Sequence, residues 1–156
     1  MAVEIGLGDE ARASAVAALN VALADTYAVY FKTHGYHWNV TGMAFKPLHE
    51  LFEEQYRDLW AALDEIAERL RALGDFAPAT PARLAELTTI GADNDIPSAE
   101  TMIANLISDH GALLRSVRSA FDAASGVGDE GSADLMVERM QASEKFAWML
   151  RAHLGG

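Results

Sequence analysis

Cysteine is absent from this chain. Its absence excludes disulfides, zinc–thiolate sites and a thiol nucleophile, and it suits a protein exposed to oxidants. Proline occurs only at positions 47, 78, 81 and 97, which leaves long stretches free to run as helix. No stretch of about 18 uncharged apolar residues is present, so no membrane span is expected. The opening, Met1-Ala2-Val3-Glu4, has neither the basic start nor the apolar run of a secretory signal. A cytoplasmic protein is the expectation. Basic residues are scarce: 12 Lys and Arg face 23 Asp and Glu, for a net charge of −11. Such a chain repels phosphate backbones and suits the handling of cations, although plain solubility is served equally well. There is no low-complexity segment, repeat or linker, so residues 1–156 are taken as a single domain.

Between the breakers lie four long segments with apolar residues at helical spacing. The first runs from Asp9 to Asn39, with Val16, Leu19, Leu23, Tyr27, Tyr30 or Phe31, His34 and Trp38 as its stripe. The second runs from Phe45 to Leu73, followed by Gly74 as a left-handed cap. The third starts at the N-cap Ser98 and ends before Gly126, and its stripe includes Met102, Leu106, His110 or Leu113, Val117 and Phe121. The fourth runs from Ser132 to Leu154. Short connections make antiparallel neighbours, whereas the stretch from Asp75 to Pro97 is long and carries a short helical pattern at Pro81-Ala-Arg-Leu-Ala-Glu-Leu. One long crossover is the ferritin-like form of the all-α, antiparallel four-helix bundle, and that is the expected fold.

The second segment has two faces. With His49 at zero and about 100° per residue, Leu48, Phe52, Leu59, Leu63, Ile66, Leu70 and Leu73 fall within about 240–320°. His49, Glu53, Trp60, Asp64 and Glu68 fall within about 0–100°, away from that core arc. His49/Glu53 and Asp64/Glu68 are i,i+4 pairs, so each pair can point at one ion. Histidine with carboxylate suits a borderline metal such as non-haem iron. His49 and Asp64 are about 22 Å apart along a straight helix, too far for one site within a chain. Two separate sites per chain would fit, as would an ordinary solvated face. The simpler arrangement is an antiparallel copy from a two-fold mate, which sets His49/Glu53 of one chain opposite Asp64/Glu68 of the other.

The preceding segment reads His37-Trp38-Asn39-Val40-Thr41-Gly42, then five residues, Leu48-His49, three residues and Glu53. It resembles the Dps family signature H-W-x-V-x-G-x5-L-H-x3-[DE] at every specified position. Leu63-Asp64-Glu65-Ile66-Ala67-Glu68-Arg69 with Leu73-Gly74 is similar to the family's second signature. The resemblance implies a homododecameric cage that oxidises Fe2+ to Fe3+ at di-iron sites on two-fold interfaces. Hydrogen peroxide is the usual oxidant, and ferric mineral collects inside. Carried over, the ligands are His37, His49 and Glu53 from one subunit with Asp64 and Glu68 from its mate. His37, Asp64 and Glu68 carry the catalysis, and Glu53 stands where many members have Asp.

For Trp38 and Trp60 the resemblance implies a place near the metals, as traps for stray oxidising equivalents; packing at the interface is an equal reading. His34 reads as a hydrogen-bonded structural residue in preference to a ligand, and His110 and His153 receive no role. Asp129, Asp134 and Glu138 suit the start of the fourth helix. Their spacing also resembles the acidic pores through which iron enters Dps cages. DNA binding, in Dps proteins a property of lysine-rich tails, is expected to be weak or absent, since the N-terminal stretch carries Glu4, Asp9, Glu10 and only Arg12. Two other readings compete. A di-iron site inside one bundle would use Glu-x-x-His, and none of the five histidines has a Glu three residues earlier. A metal-free helical or DNA-packing module would not need the ordered His/carboxylate pattern.

Overall fold

The computed structural model describes residues 3–156; Met1 and Ala2 of the opening segment lie outside the described residues. The elements are α1 (Asp9–Asn39), α2 (Phe45–Ala72), α3 (Pro81–Leu87), α4 (Ala99–Gly126) and α5 (Glu130–His153). They form the expected all-helical four-helix bundle, with α3 as the short helix of the long crossover. α1 packs against α2 and α4, α4 packs against α5, and α3 lies on α1.

The local chemistry of each boundary is visible. Gly74 takes φ 96°, and Asp75 N–H donates back to the Leu70 carbonyl at 3.1 Å, closing α2 as the glycine predicts. Ser98 caps α4 through the Thr101 N–H, and Thr80 caps α3 ahead of Pro81. α5 begins two residues before the expected Ser132, because Asp129 supplies the cap and accepts from Ser132 N–H. α4 includes Gly126, and α2 ends one residue early, with Leu73 as its cap.

The apolar residues of α1 bear on one sequence expectation and correct another. Part of α1 is long and apolar enough to pass a composition test for a membrane span. Half of that window is buried inside the bundle, so the apolar character of α1 is spent on the protein core. The core stripe of α1 also turns differently. After Leu23 it continues through Thr26, Val29, Thr33, Tyr36 and His37, while Phe31 and Trp38 point outward. A strict a/d projection drifts over a 31-residue helix that has partners on two sides.

A crossover this long needs an anchor, and Asp25 provides it. Its carboxylate is fully buried on α1 and accepts from Thr88 Oγ1 (2.7 Å), Thr89 N–H (2.7 Å) and Thr89 Oγ1 (2.8 Å). Three donors make burial of that charge tolerable.

The apolar core divides into two clusters. One is built around Leu19, Leu59, Ile66, Leu70, Val117 and Met136; the other is built around Tyr36, Leu48, Phe52, Met102, Leu106 and Leu150. Between them lies a polar layer. Gln55 and His110 are fully buried there, with His110 Nδ1 2.7 Å from Ser143 Oγ and Arg139 2.6 Å from Asp58. Burial drives the His110 pKa down to about 4 from 6.5, assisted by the positive charge of Arg139. The folded chain therefore holds this ring neutral, whereas the unfolded chain takes up a proton below pH 6.5. Unfolding free energy should thus rise with pH between about 4 and 6.5, by about 3 kcal/mol across the window from this group. Urea unfolding at pH 4.5 and 7 would show it, with most of the slope gone in His110→Leu. An unchanged slope in that variant would assign the acid sensitivity to other groups.

Candidate metal centre

The turn between α1 and α2 sets the geometry of the site. Val40 N–H closes α1 on the Tyr36 carbonyl at 2.9 Å, Gly42 takes φ 105°, and Phe45 N–H donates to the Gly42 carbonyl at 3.1 Å. A side chain at Gly42 would be strained at that φ. The reversal lays the last turn of α1 against the first turn of α2, so His37 and His49 meet. Their rings stack with centroids 3.8 Å apart and planes 15° from parallel.

Each ring makes the same bond to the other residue. His37 Nδ1 is 2.7 Å from the His49 carbonyl oxygen, and His49 Nδ1 is 2.7 Å from the His37 carbonyl oxygen. A carbonyl only accepts, so each Nδ1 carries the proton and donates. In the neutral rings both Nε2 lone pairs are then free for a metal ion. This is the second hydrogen bond that an imidazole ligand needs for its tautomer and orientation to be fixed, and here each histidine supplies it to the other. His37 is buried at 7% exposure, and His49 is half-buried with the Phe45 ring 5.1 Å away.

Glu53 lies one turn beyond His49. Arg57 Nε and Nη2 donate to its Oε1 at 2.9 and 2.7 Å. That guanidinium holds the Glu53 carboxyl below the ordinary carboxylate range, and the nearby His37 and His49 act in the same direction. Asp64 and Glu68 are solvent-exposed further along α2, and neither has a salt-bridge partner among the described residues. The structure thus brings His37 and His49 together with Glu53 close by, and it leaves Asp64 and Glu68 at the other end of the same face. Among the described residues of one chain, no three His, Asp or Glu side chains converge as a metal site.

Several large aromatic side chains of α1 and α2 are exposed. Trp38 and Trp60 are 58% and 63% exposed, and Phe31 is 53% exposed. Large aromatics standing in water, with Trp60 one turn before the exposed Asp64, suit a contact surface. Sequence reasoning missed the aromatic residues beneath. The Tyr56 ring is T-shaped against His37 at 5.1 Å and stacks flat on His34 at 3.8 Å and 11°. His34 lies 4.3 Å from the Trp38 ring and hydrogen-bonds Tyr30 through Nδ1 at 3.1 Å. Burial, with the neighbouring His37, holds the His34 pKa below its ordinary value. Tyr30 precedes His34 by one helical turn, which was the one signal for that pairing in the sequence.

The acidic residues at the start of α5 divide into two kinds. Asp129 is buried; its Oδ1 accepts from Ser132 N–H and from Arg69 Nη2 at 2.7 Å. It is a helix cap paired with a cation, as the N-terminal reading of this segment requires. Asp134 and Glu138 are exposed. His153 ends α5 with Nδ1 3.0 Å from the Met149 carbonyl.

Residues 16–156 match the family model described as a ferritin-like domain. The chain is 36% identical to DNA protection during starvation protein 2 of Bacillus anthracis, over 87% of this chain and 93% of that protein. It is 40% identical to an uncharacterized low temperature-induced protein of Nostoc, over 99% of this chain and 87% of that one. Among solved structures, DpsC from Streptomyces coelicolor superposes with a TM-score of 0.95 at 28% identity, covering 99% of this chain and 91% of that one. The DPS protein from Vibrio cholerae, described as one of the ferritin-like diiron-carboxylate proteins, gives 0.93 at 33% identity, covering 98% and 96%.

The reciprocal histidine bonds make a direct prediction. In the iron-free protein, nitrogen NMR should find the neutral form of the His37 and His49 rings with Nδ1 protonated and Nε2 bare. Both Nδ1 protons should exchange slowly. Protonation mainly at Nε2, the preference of a free imidazole, would mean that the rings are not preset.

Proposed function

The chain belongs to the Dps family of ferritin-like proteins, and from that premise we propose that it is a ferroxidase storing iron inside a cytoplasmic cage of twelve copies. Family membership supports iron storage and protection from stress as the general role. The finer reading is that Fe(II) is oxidised to Fe(III), with hydrogen peroxide preferred, at sites shared across two-fold interfaces.

One observation carries this reading. Two histidines are preset with free Nε2 atoms, while the unpaired Asp64 and Glu68 lie on the same face, about 22 and about 28 Å from His49 along α2. A head-to-tail second copy brings the halves together. His37, His49 and Glu53 of one subunit then face Asp64 and Glu68 of the mate, and the two-fold axis makes two such sites. Exposed Trp38 and Trp60 give that interface its apolar surface. The imidazoles bind the divalent ion, whereas the carboxylates favour the harder ferric product and so ease oxidation. Two Fe(II) ions at one site would each give an electron to peroxide, which avoids release of hydroxyl radical. Arg57 occupies Glu53 in the iron-free chain, so the second iron position has to compete for that carboxylate.

A di-iron site inside the bundle is disfavoured by the polar layer itself. It contains Gln55, His110 and Ser143, and its nearby carboxylate, Asp58, is already paired with Arg139. Weak or absent DNA binding is likewise favoured. Arg12 is buried and donates to the Leu7 and Val3 carbonyls at 2.9 and 2.7 Å, so it is not free for phosphate.

Asp64→Ala with Glu68→Ala should abolish rapid peroxide-dependent oxidation of Fe(II), a loss of at least about tenfold. Size-exclusion chromatography should still find a twelve-subunit particle. Unchanged rates in the double variant would reject the ligand assignment, and a monomer in the wild type would reject the cage. The charge readings are checked separately. Neutralising Asp134 and Glu138 as a candidate pore, with Asp129 as the buried cap beside them, should slow iron entry without dissociating the particle. Equal uptake would defeat the pore. Gel shift at low salt should leave plasmid unbound, and condensed plasmid would contradict the view taken of DNA.

A further inference from the structure

We infer that a hydrogen-bond clamp of Asp93, Tyr36 and Asn105 places His37 for iron, with Tyr36 and Asp93 as positioning residues of the site. This rests on the ferroxidase reading above and deepens it by naming what holds the end of α1 still before a metal arrives.

The end of a helix is its loosest part, because the last carbonyls lack partners within the helix. His37 stands in the last turn of α1, and its Nδ1 has to come within 2.7 Å of the His49 carbonyl for the reciprocal bonds to close. Tyr36, the residue before it, is held at that point by two other elements. Its hydroxyl donates to Asp93 Oδ2 of the crossover, 57 residues away in the chain, and accepts from Asn105 Nδ2 of α4 at 3.0 Å. Asp93 is itself oriented, since its Oδ1 accepts from Asp95 N–H at 3.0 Å. The Tyr36 ring is buried and lies 6.4 Å from the Phe52 ring of α2. One turn back along α1 and one turn on along α4, Lys32 pairs with Asp109 at 2.8 Å, with both side chains largely out of water.

The clamp and the histidine pair therefore grip the same turn of α1 from different sides. The histidines tie α1 to α2, whereas Tyr36 ties it to α4 and to the crossover. The histidine bonds set the tautomers, and the clamp sets where the backbone that carries His37 lies. With the clamp gone, iron binding would have to order this turn, and affinity would fall by that cost. Bound iron holds the ring itself, so the oxidation step at saturation keeps its rate. Loss of the clamp thus raises KM for Fe(II) and leaves kcat near wild type.

The test uses the assembled protein. Hydrogen exchange of the peptide covering residues 36–45 is followed by mass spectrometry without iron, and KM and kcat for Fe(II) are measured with hydrogen peroxide. Tyr36→Phe keeps the ring and removes both bonds. It should speed exchange in that peptide and raise KM severalfold at nearly unchanged kcat. Asp93→Ala should act in the same direction. The double variant should do little more than Tyr36→Phe alone, because both act through one hydroxyl. Thr88→Val is the control for general loosening, since it removes a crossover bond at the Asp25 anchor instead. It should leave KM and the exchange of residues 36–45 at wild-type values, and urea unfolding checks that every variant is folded. Wild-type exchange and KM in Tyr36→Phe, full additivity in the double variant, or an equal KM rise in Thr88→Val would overturn the clamp while the ferroxidase stands. If the wild type forms no ferric product, the ferroxidase reading falls and the clamp's role toward iron falls with it.

Discussion

The reciprocal bond between His37 and His49 is the interaction on which the site depends. Each ring uses its Nδ1 proton to satisfy the carbonyl of the other residue. The bond therefore holds the end of α1 to the start of α2, sets both tautomers, and leaves both Nε2 atoms outside it. Removing either ring would leave a carbonyl without its partner, at a cost of about 1–3 kcal/mol if it stays dry, and would release the other ring. Structure and ligand preparation are thus one device. The five residues after the signature glycine exist to bring the second histidine into the range of the first.

The rest of the bundle keeps that device in register. The apolar cluster around Phe52, Leu48 and Leu106 packs directly beneath it, and Asp25 holds the crossover against α1 with three hydrogen bonds. The buried polar layer of Gln55, His110 and Ser143 separates this cluster from the larger one. That layer costs desolvation and is sensitive to acid, but its few partners are specific, and specific partners limit how α2, α4 and α5 can slide past one another.

Charge is sorted in the same way. The basic residues near functional surfaces are mostly engaged: Arg12 with backbone carbonyls, Arg57 with Glu53, Arg69 with Asp129 and Arg139 with Asp58. The carboxylates left without such partners include Asp64 and Glu68, which are what a cation-handling face requires. A net charge of −11 becomes informative only once it is known which acids are free.

Much was legible in the sequence. Apolar spacing fixed four long helices, Gly74 and Ser98 marked their ends, and the offset of His49, Glu53, Asp64 and Glu68 from the core arc followed from the 100° step. These are local properties, set by backbone geometry within a few residues. Tertiary structure alone decided that Phe31 and Trp38 leave the core, that Asp25 is an anchor, that Asp129 is a buried cap, and that Tyr30, His34 and Tyr56 form a ladder beside His37. Each of those depends on what lies across a gap from another helix. A one-dimensional pattern records which face a residue takes, but the partner it meets there is a matter of packing between segments far apart in the chain.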